Sequence, residues 1–176
     1  MILQYLNRKT NRDKILAKNF YKDLVEFINT LLSEQTKHKE DLGVLIEIIS
    51  ILLVVIFNFL KLQKNKNTDN FSQELLNLFI KDLDYSFRKV GIGDMSIGKY
   101  VKSYVKKFYF RINKLEEIIK NSNQNAWSSF FNDYNIVSDK DLRNFFNTEL
   151  YDISKKIIDK GYLQDFNNFS LSKLIN

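Results

Sequence analysis

No proline occurs anywhere in this 176-residue chain, and only five glycines do. These are the residues that cut a chain into short strands and tight turns. A many-stranded sandwich or barrel has too few breaks to be built here, so the sequence predicts long helices joined by polar turns. Hydrophobic residues make up 44% of the chain, enough to bury a core rather than leave it disordered. The length suits one domain, 1–176, better than two. The expectation is an all-α fold, a single compact helical bundle of about five to seven helices.

Apolar spacing places those helices. From Asp13 to Gln35, the residues Leu16, Phe20, Leu24, Phe27, Ile28, Leu31 and Leu32 recur at helical steps, with Thr10 or Asn11 available as a cap. A polar loop around "TKHKED" follows. After the polar linker "KLQKNKNTDN", a helix is expected from about Ser72 to Val90, burying Leu76, Phe79, Ile80, Leu83, Phe87 and Val90, with Gly91 as a left-handed C-terminal cap. Another, from about Ile97 to Asn121, buries Ile97, Val101, Val105, Phe108, Ile112, Leu115 and Ile119. The segment "NAWSSFFNDYN" reads as a short helix with core aromatics. A last helix, about Asp139 to Lys160, starts at a capping box of Ser138 and Asp141, buries Leu142, Phe145, Phe146, Leu150, Ile153 and Ile157, and ends at Gly161. The tail "YLQDFNNFSLSKLIN" is aromatic enough to pack back on the bundle.

The segment Asp41 to Gln63, "DLGVLIEIISILLVVIFNFLKLQ", is apolar enough to raise a transmembrane reading. Each aliphatic residue favours insertion by roughly 0.3–0.6 kcal/mol, and Glu47 opposes it by up to about 3. Periodicity decides better. Glu47, Ser50, Asn58 and Lys61, with Val54 between them, share one narrow stripe. A central helix of a bundle has use for such a seam in reaching solvent or a polar partner, so the buried bundle helix is favoured over a span.

Composition removes whole classes of chemistry. There is no cysteine, hence no disulfide, thiolate metal site or cysteine nucleophile. His38 is the only histidine and lies in a charged run that reads as a solvated loop. Asp82 and Asp84 are two residues apart, on different faces of a helix, so they form no acid–base pair. No catalytic constellation and no metal or cofactor site is expected. The basic N-terminus "MILQYLNRKTNRDK" lacks the apolar segment and cleavage site of a secretory signal, which points to the cytoplasm or an equivalent compartment.

One stretch imitates a nucleotide site. In "VGIGDMSIGKYVK", Val90 to Lys102, the residues Gly93, Gly98 and Lys99 have the spacing of a phosphate-binding loop, but Tyr100 stands where Ser or Thr holds magnesium. The preceding segment carries Asp82, Asp84, Arg88 and Lys89 at helical spacing and is no buried strand, so the nucleotide reading fails. What remains is a turn between helices, where Gly91 and Gly93 permit positive φ and Asp94 or Ser96 caps the next helix. Asp84 and Arg88, four apart, can pair. Gly98 in the first turn costs about 1 kcal/mol relative to alanine, which close approach of another backbone would explain.

The following helix carries Lys99, Lys102, Lys106, Lys107, Arg111 and Lys114 with no acid until Glu116. This face can be a solvated lysine surface, an RNA-facing surface or a seat on an anionic membrane. Tyr100, Tyr104, Tyr109 and Phe110 interleave with the charges, Tyr104 nearer the core.

Residues Leu78 to Ile112, "LFIKDLDYSFRKVGIGDMSIGKYVKSYVKKFYFRI", resemble the central signature of the ubiquinol–cytochrome c chaperone family. Asp82, Asp84, Ser86, Arg88, Gly91, Gly93, Asp94, Gly98, Lys99, Val101, Lys102, Phe108, Tyr109 and Arg111 fill its places, whereas Phe110 departs from the glycine expected after Phe-Tyr. The resemblance implies a non-enzymatic, all-helical assembly factor for the respiratory cytochrome bc complex. Its partners would be newly made cytochrome b, the ribosome and a second assembly factor, with peripheral contact to the membrane surface and none to DNA. Its location would be cytoplasmic and peripheral at the inner membrane, or the mitochondrial matrix in a eukaryote. Partner binding is expected around the glycine-rich turn, at Asp84, Arg88, Gly91, Gly93, Asp94, Gly98, Lys99, Lys102, Lys106, Tyr109 and Arg111. The competing class is an RNA- or ribosome-binding helical protein that uses the basic face of the 97–121 helix on phosphates.

Overall fold

The structure is a computed structural model that describes residues 2–35, 42–62, 66–134 and 136–160. Among them are six helices and no strand: α1 (Ile2–Gln35), α2 (Leu42–Leu62), α3 (Lys66–Lys89), α4 (Asp94–Lys120), α5 (Gln124–Asp133) and α6 (Lys140–Lys160). The all-α expectation holds. His38, Gly161 and the tail "YLQDFNNFSLSKLIN" lie outside the described residues.

The apolar α2 is the post around which the others assemble. It is buried from Val44 to Leu60 except at Leu45 and Phe57, and it packs against α1, α3, α4 and α6. By length and composition α2 is the one described helix capable of crossing a membrane, but here its apolar sides are covered by other helices. Each aliphatic or aromatic side chain so buried contributes roughly 1.5–3 kcal/mol, which explains why the most apolar stretch of the chain sits at its centre. α1 lies along α3, where Phe20 meets Phe71 edge-on with ring centroids 5.6 Å apart. A hydrogen bond from the Tyr21 hydroxyl to Asp82 Oδ2, 2.9 Å, joins the same two helices.

Several boundaries differ from the sequence reading. Thr10 and Asn11 do not cap α1, which already begins at Ile2, because nothing before Asp13 breaks a helix and Ile2 and Leu6 are four apart. α3 begins at Lys66 rather than near Ser72. Phe71 and Leu75 extend its buried row at steps of four, and Thr68 is buried as well, so the supposed linker supplies its first turn. At the other end Val90 is 58% exposed rather than buried, since the chain leaves the helix there. The cap of α6 is Asp139, whose Oδ1 accepts from Leu142 N at 2.8 Å, and not Ser138. Of the aromatics from Trp127 to Tyr134 that the sequence placed in the core, Trp127, Phe130 and Phe131 are buried whereas Tyr134 is 46% exposed, and the indole N–H of Trp127 donates to the Asn147 carbonyl at 3.0 Å.

Candidate functional site

The polar stripe of α2 finds its partner on α4. Glu47 accepts from Arg111, and Arg111 also donates to Ser50 Oγ at 3.0 Å. Lys107 Nζ reaches Glu47 Oε1 at 3.3 Å. Further along, Asn58 Nδ2 donates to the Val54 and Ile112 carbonyls, and Lys61 pairs with Glu116 at 2.8 Å. Every polar side chain of the seam therefore meets α4 or closes onto α2 itself, fixing the register of two helices that apolar packing alone would let slide. Arg111 is 5% exposed. The sequence reading placed it on the basic outer surface, but the only carboxylate of α2 draws it inside.

The turn between α3 and α4 is built in two halves. α3 ends in a paired-bond cap: Ile92 N donates to the Phe87 carbonyl and Gly91 N to the Arg88 carbonyl, both at 3.0 Å. This closure puts Gly91 at φ +86°, where a side chain is strained. Gly93 then caps α4 through its backbone alone, its carbonyl accepting from Ser96 N and Ile97 N. Its φ is −66°, so the expected positive φ does not occur there, and neither Asp94 nor Ser96 provides a side-chain cap. Asp94 instead bonds Arg88, which also grips Asp84 through Nε at 2.8 Å. Arg88 thus ties the last turn of α3 to the first turn of α4. The bond to Asp84 is foremost in holding its guanidinium above the ordinary arginine pKa, and Asp94 adds to it. Gly98 is exposed, and a Cβ built on it meets no atom within 4 Å. Among the described residues, no backbone outside its own helix approaches it.

Behind this corner opens an apolar cleft of about 350 Å³ between the start of α2, the end of α3 and the first half of α4. Leu42 and Ile46 form one wall, Phe87, Val90 and Ile92 a second, and Tyr100, Tyr104 and Lys107 a third. Phe87 packs on both tyrosine rings at 5.5–5.7 Å, and Lys107 Nζ sits 4.8 Å from the Tyr104 ring. The cleft is greasy, with one charged group at its edge, suited to hold an apolar side-chain cluster rather than to perform chemistry. Among the described residues no group of His, Asp or Glu is placed to hold a metal ion.

The expected site residues divide between three places. Asp84, Arg88, Gly91, Gly93 and Asp94 form the turn, with Gly98 exposed just inside α4. Lys99, Lys102, Lys106 and Tyr109 are exposed along α4, and Arg111 is in the interhelical ion pair. The cleft walls from α2 and the end of α3 were missed because they converge only when α2 packs into the bundle. Val90 carried the one readable signal, an apolar residue directly before a helix-ending glycine.

A family model described as ubiquinol-cytochrome C chaperone matches residues 46–145. This span holds most of α2, all of α3, α4 and α5, and every cleft residue named above except Leu42. No curated protein sequence matches the chain significantly. Among solved structures, the crystal structure of the Cbp3 homolog from Brucella abortus is similar, with 19% sequence identity and a TM-score of 0.72 over 97% of this chain and 96% of that one. At that identity the likeness is one of fold.

Proposed function

We propose a function for this chain from the fact that it belongs to the ubiquinol-cytochrome c chaperone family. In our reading it is a non-enzymatic chaperone, acting as one helical domain over residues 1–176, that assists assembly of the cytochrome bc complex. Its client is cytochrome b, newly synthesised or freshly inserted, met at the cytoplasmic side of the inner membrane where the ribosome and a second assembly factor have access to it. The observation that carries this reading is the open apolar cleft at the α3–α4 corner. A membrane-bound client exposes apolar helix faces before it is assembled, and a groove that offers aliphatic and aromatic walls shields such a face without chemical change.

Two measurements test it. Deleting the gene is expected to deplete assembled cytochrome bc complex while the cytochrome b transcript persists. A photo-reactive amino acid in place of Tyr100, on the cleft wall, is expected to cross-link to cytochrome b in cells. Normal complex levels in the deletion strain sink the function. Normal cross-linking at an unrelated surface position, with none at residue 100, sinks the placement.

A further inference from the structure

The outer face of α4 is a second surface, separate from the cleft. Met95, Lys99, Lys102, Lys106 and Phe110 follow one another at steps of three and four, which puts them on one side of the helix. All five are exposed, Met95 completely. Lys99, Lys102 and Lys106 have no acidic partner among the described residues, whereas Lys107, one step round the helix, is held by Glu47. Between Met95 and Leu115 there are six cations and no acid. The lysines are bracketed by apolar groups. At one end stands Met95, with Val90 across the turn. At the other, Phe110 stacks edge-on against Tyr134 of the α5 end at 5.2 Å, both rings exposed. From Met95 to Phe110 the face runs about 22 Å at 1.5 Å per residue.

We propose that this face seats the protein on an anionic bilayer surface, α4 lying in the plane of the headgroups with Met95 and Phe110 as the apolar contacts and the three lysines over the lipid phosphates. A merely solvated face accounts for the lysines but not for a fully exposed methionine and an exposed aromatic pair on the same line. A nucleic-acid surface fits less well. Its best phosphate ligands would be the arginines of this region, but Arg88 is tied to two aspartates and Arg111 is buried. Met95 and Val90 offer nothing on which a base stacks, and the one ring in line with the lysines, Phe110, is already packed edge-on against Tyr134. Lysine point charges interleaved with apolar side chains are what an interfacial helix uses. The placement does not depend on the identity of the client, so its failure leaves the cleft reading standing.

The test is co-sedimentation of the full chain with phosphatidylcholine vesicles, with and without phosphatidylglycerol. Binding is expected only when phosphatidylglycerol is present. The triple variant Lys99→Gln, Lys102→Gln, Lys106→Gln is expected to lose about 100-fold in partitioning, and the matching triple change to arginine to retain it. Met95→Ser is expected to lose roughly fivefold on the same vesicles. Equal binding to both vesicle compositions, or undiminished binding by the glutamine variant, overturns the proposal. So does tight, lysine-dependent binding to RNA without vesicle binding.

Discussion

Arg111 of α4 is bonded to Glu47 of α2 inside the bundle, and Lys107 supports the same carboxylate from the cleft side. The pair carries unequal risk for its two members. Without Arg111, Glu47 keeps a half-exposed lysine; without Glu47, Arg111 keeps only the Ser50 hydroxyl. Removing one partner of a buried ion pair costs about 3–5 kcal/mol, whereas replacing both by apolar groups of similar volume is close to neutral. Urea unfolding is therefore expected to rank Glu47→Leu below Arg111→Met, and to find the double variant more stable than either. Additive losses in that cycle mean that the two side chains are not coupled.

The Tyr21 hydroxyl donates to Asp82 where α1 meets α3. Burial first, then the Asp82 charge and hydrogen bond, push the phenol above its ordinary value of 10.0. A raised folded-state pKa means that the contribution is complete below the unfolded pKa and is lost as pH rises above it, because the unfolded chain releases a proton that the folded one retains. From pH about 10 upward, stability is expected to fall by an additional ~1.4 kcal/mol per pH unit relative to Tyr21→Phe. Chemical denaturation at stepped alkaline pH reads the difference, and parallel curves for the two proteins reject the linkage.

The helices were legible because apolar spacing is local, and the polar seam of α2 was legible as a seam. What the seam meets was not. Arg111 stands three residues after Phe108 and four before Leu115, at the edge of the buried row, but nothing local names its partner, a carboxylate more than sixty residues earlier. The cleft shows the same limit: Leu42 and Ile46 reach Tyr100 through tertiary packing alone. The turn was read correctly at Gly91, whose place after a periodic helix demands a left-handed cap, and incorrectly at Gly93, where an extended backbone cap needs no special residue. At α3 the polar run before Ser72 hid the step of four from Phe71 to Leu75.

The start of α6 offers a direct check of one such misreading. Asp139 caps the helix through its carboxylate, and among the described residues Ser138 makes no such bond. Asp139→Ala is expected to lower stability by about 1 kcal/mol, and Ser138→Ala to change it little. Thermal unfolding of the two variants side by side distinguishes them; equal losses return the capping role to the serine.

Gly91 and Gly98 stand seven residues apart and call for opposite outcomes. Alanine at Gly91 must adopt φ near +86° and is expected to cost about 1–2 kcal/mol. Alanine at Gly98 meets no atom and replaces the poorest ordinary helix former, so it is expected to raise stability by up to about 1 kcal/mol. Among the described residues, then, nothing requires a glycine at 98. If the exposed backbone there is where the client comes close, Gly98→Ala gives a more stable protein that cross-links less to cytochrome b from residue 100. Unchanged cross-linking in the stabilised variant removes Gly98 from the partner-binding site and leaves its helix without a contact to protect at that position.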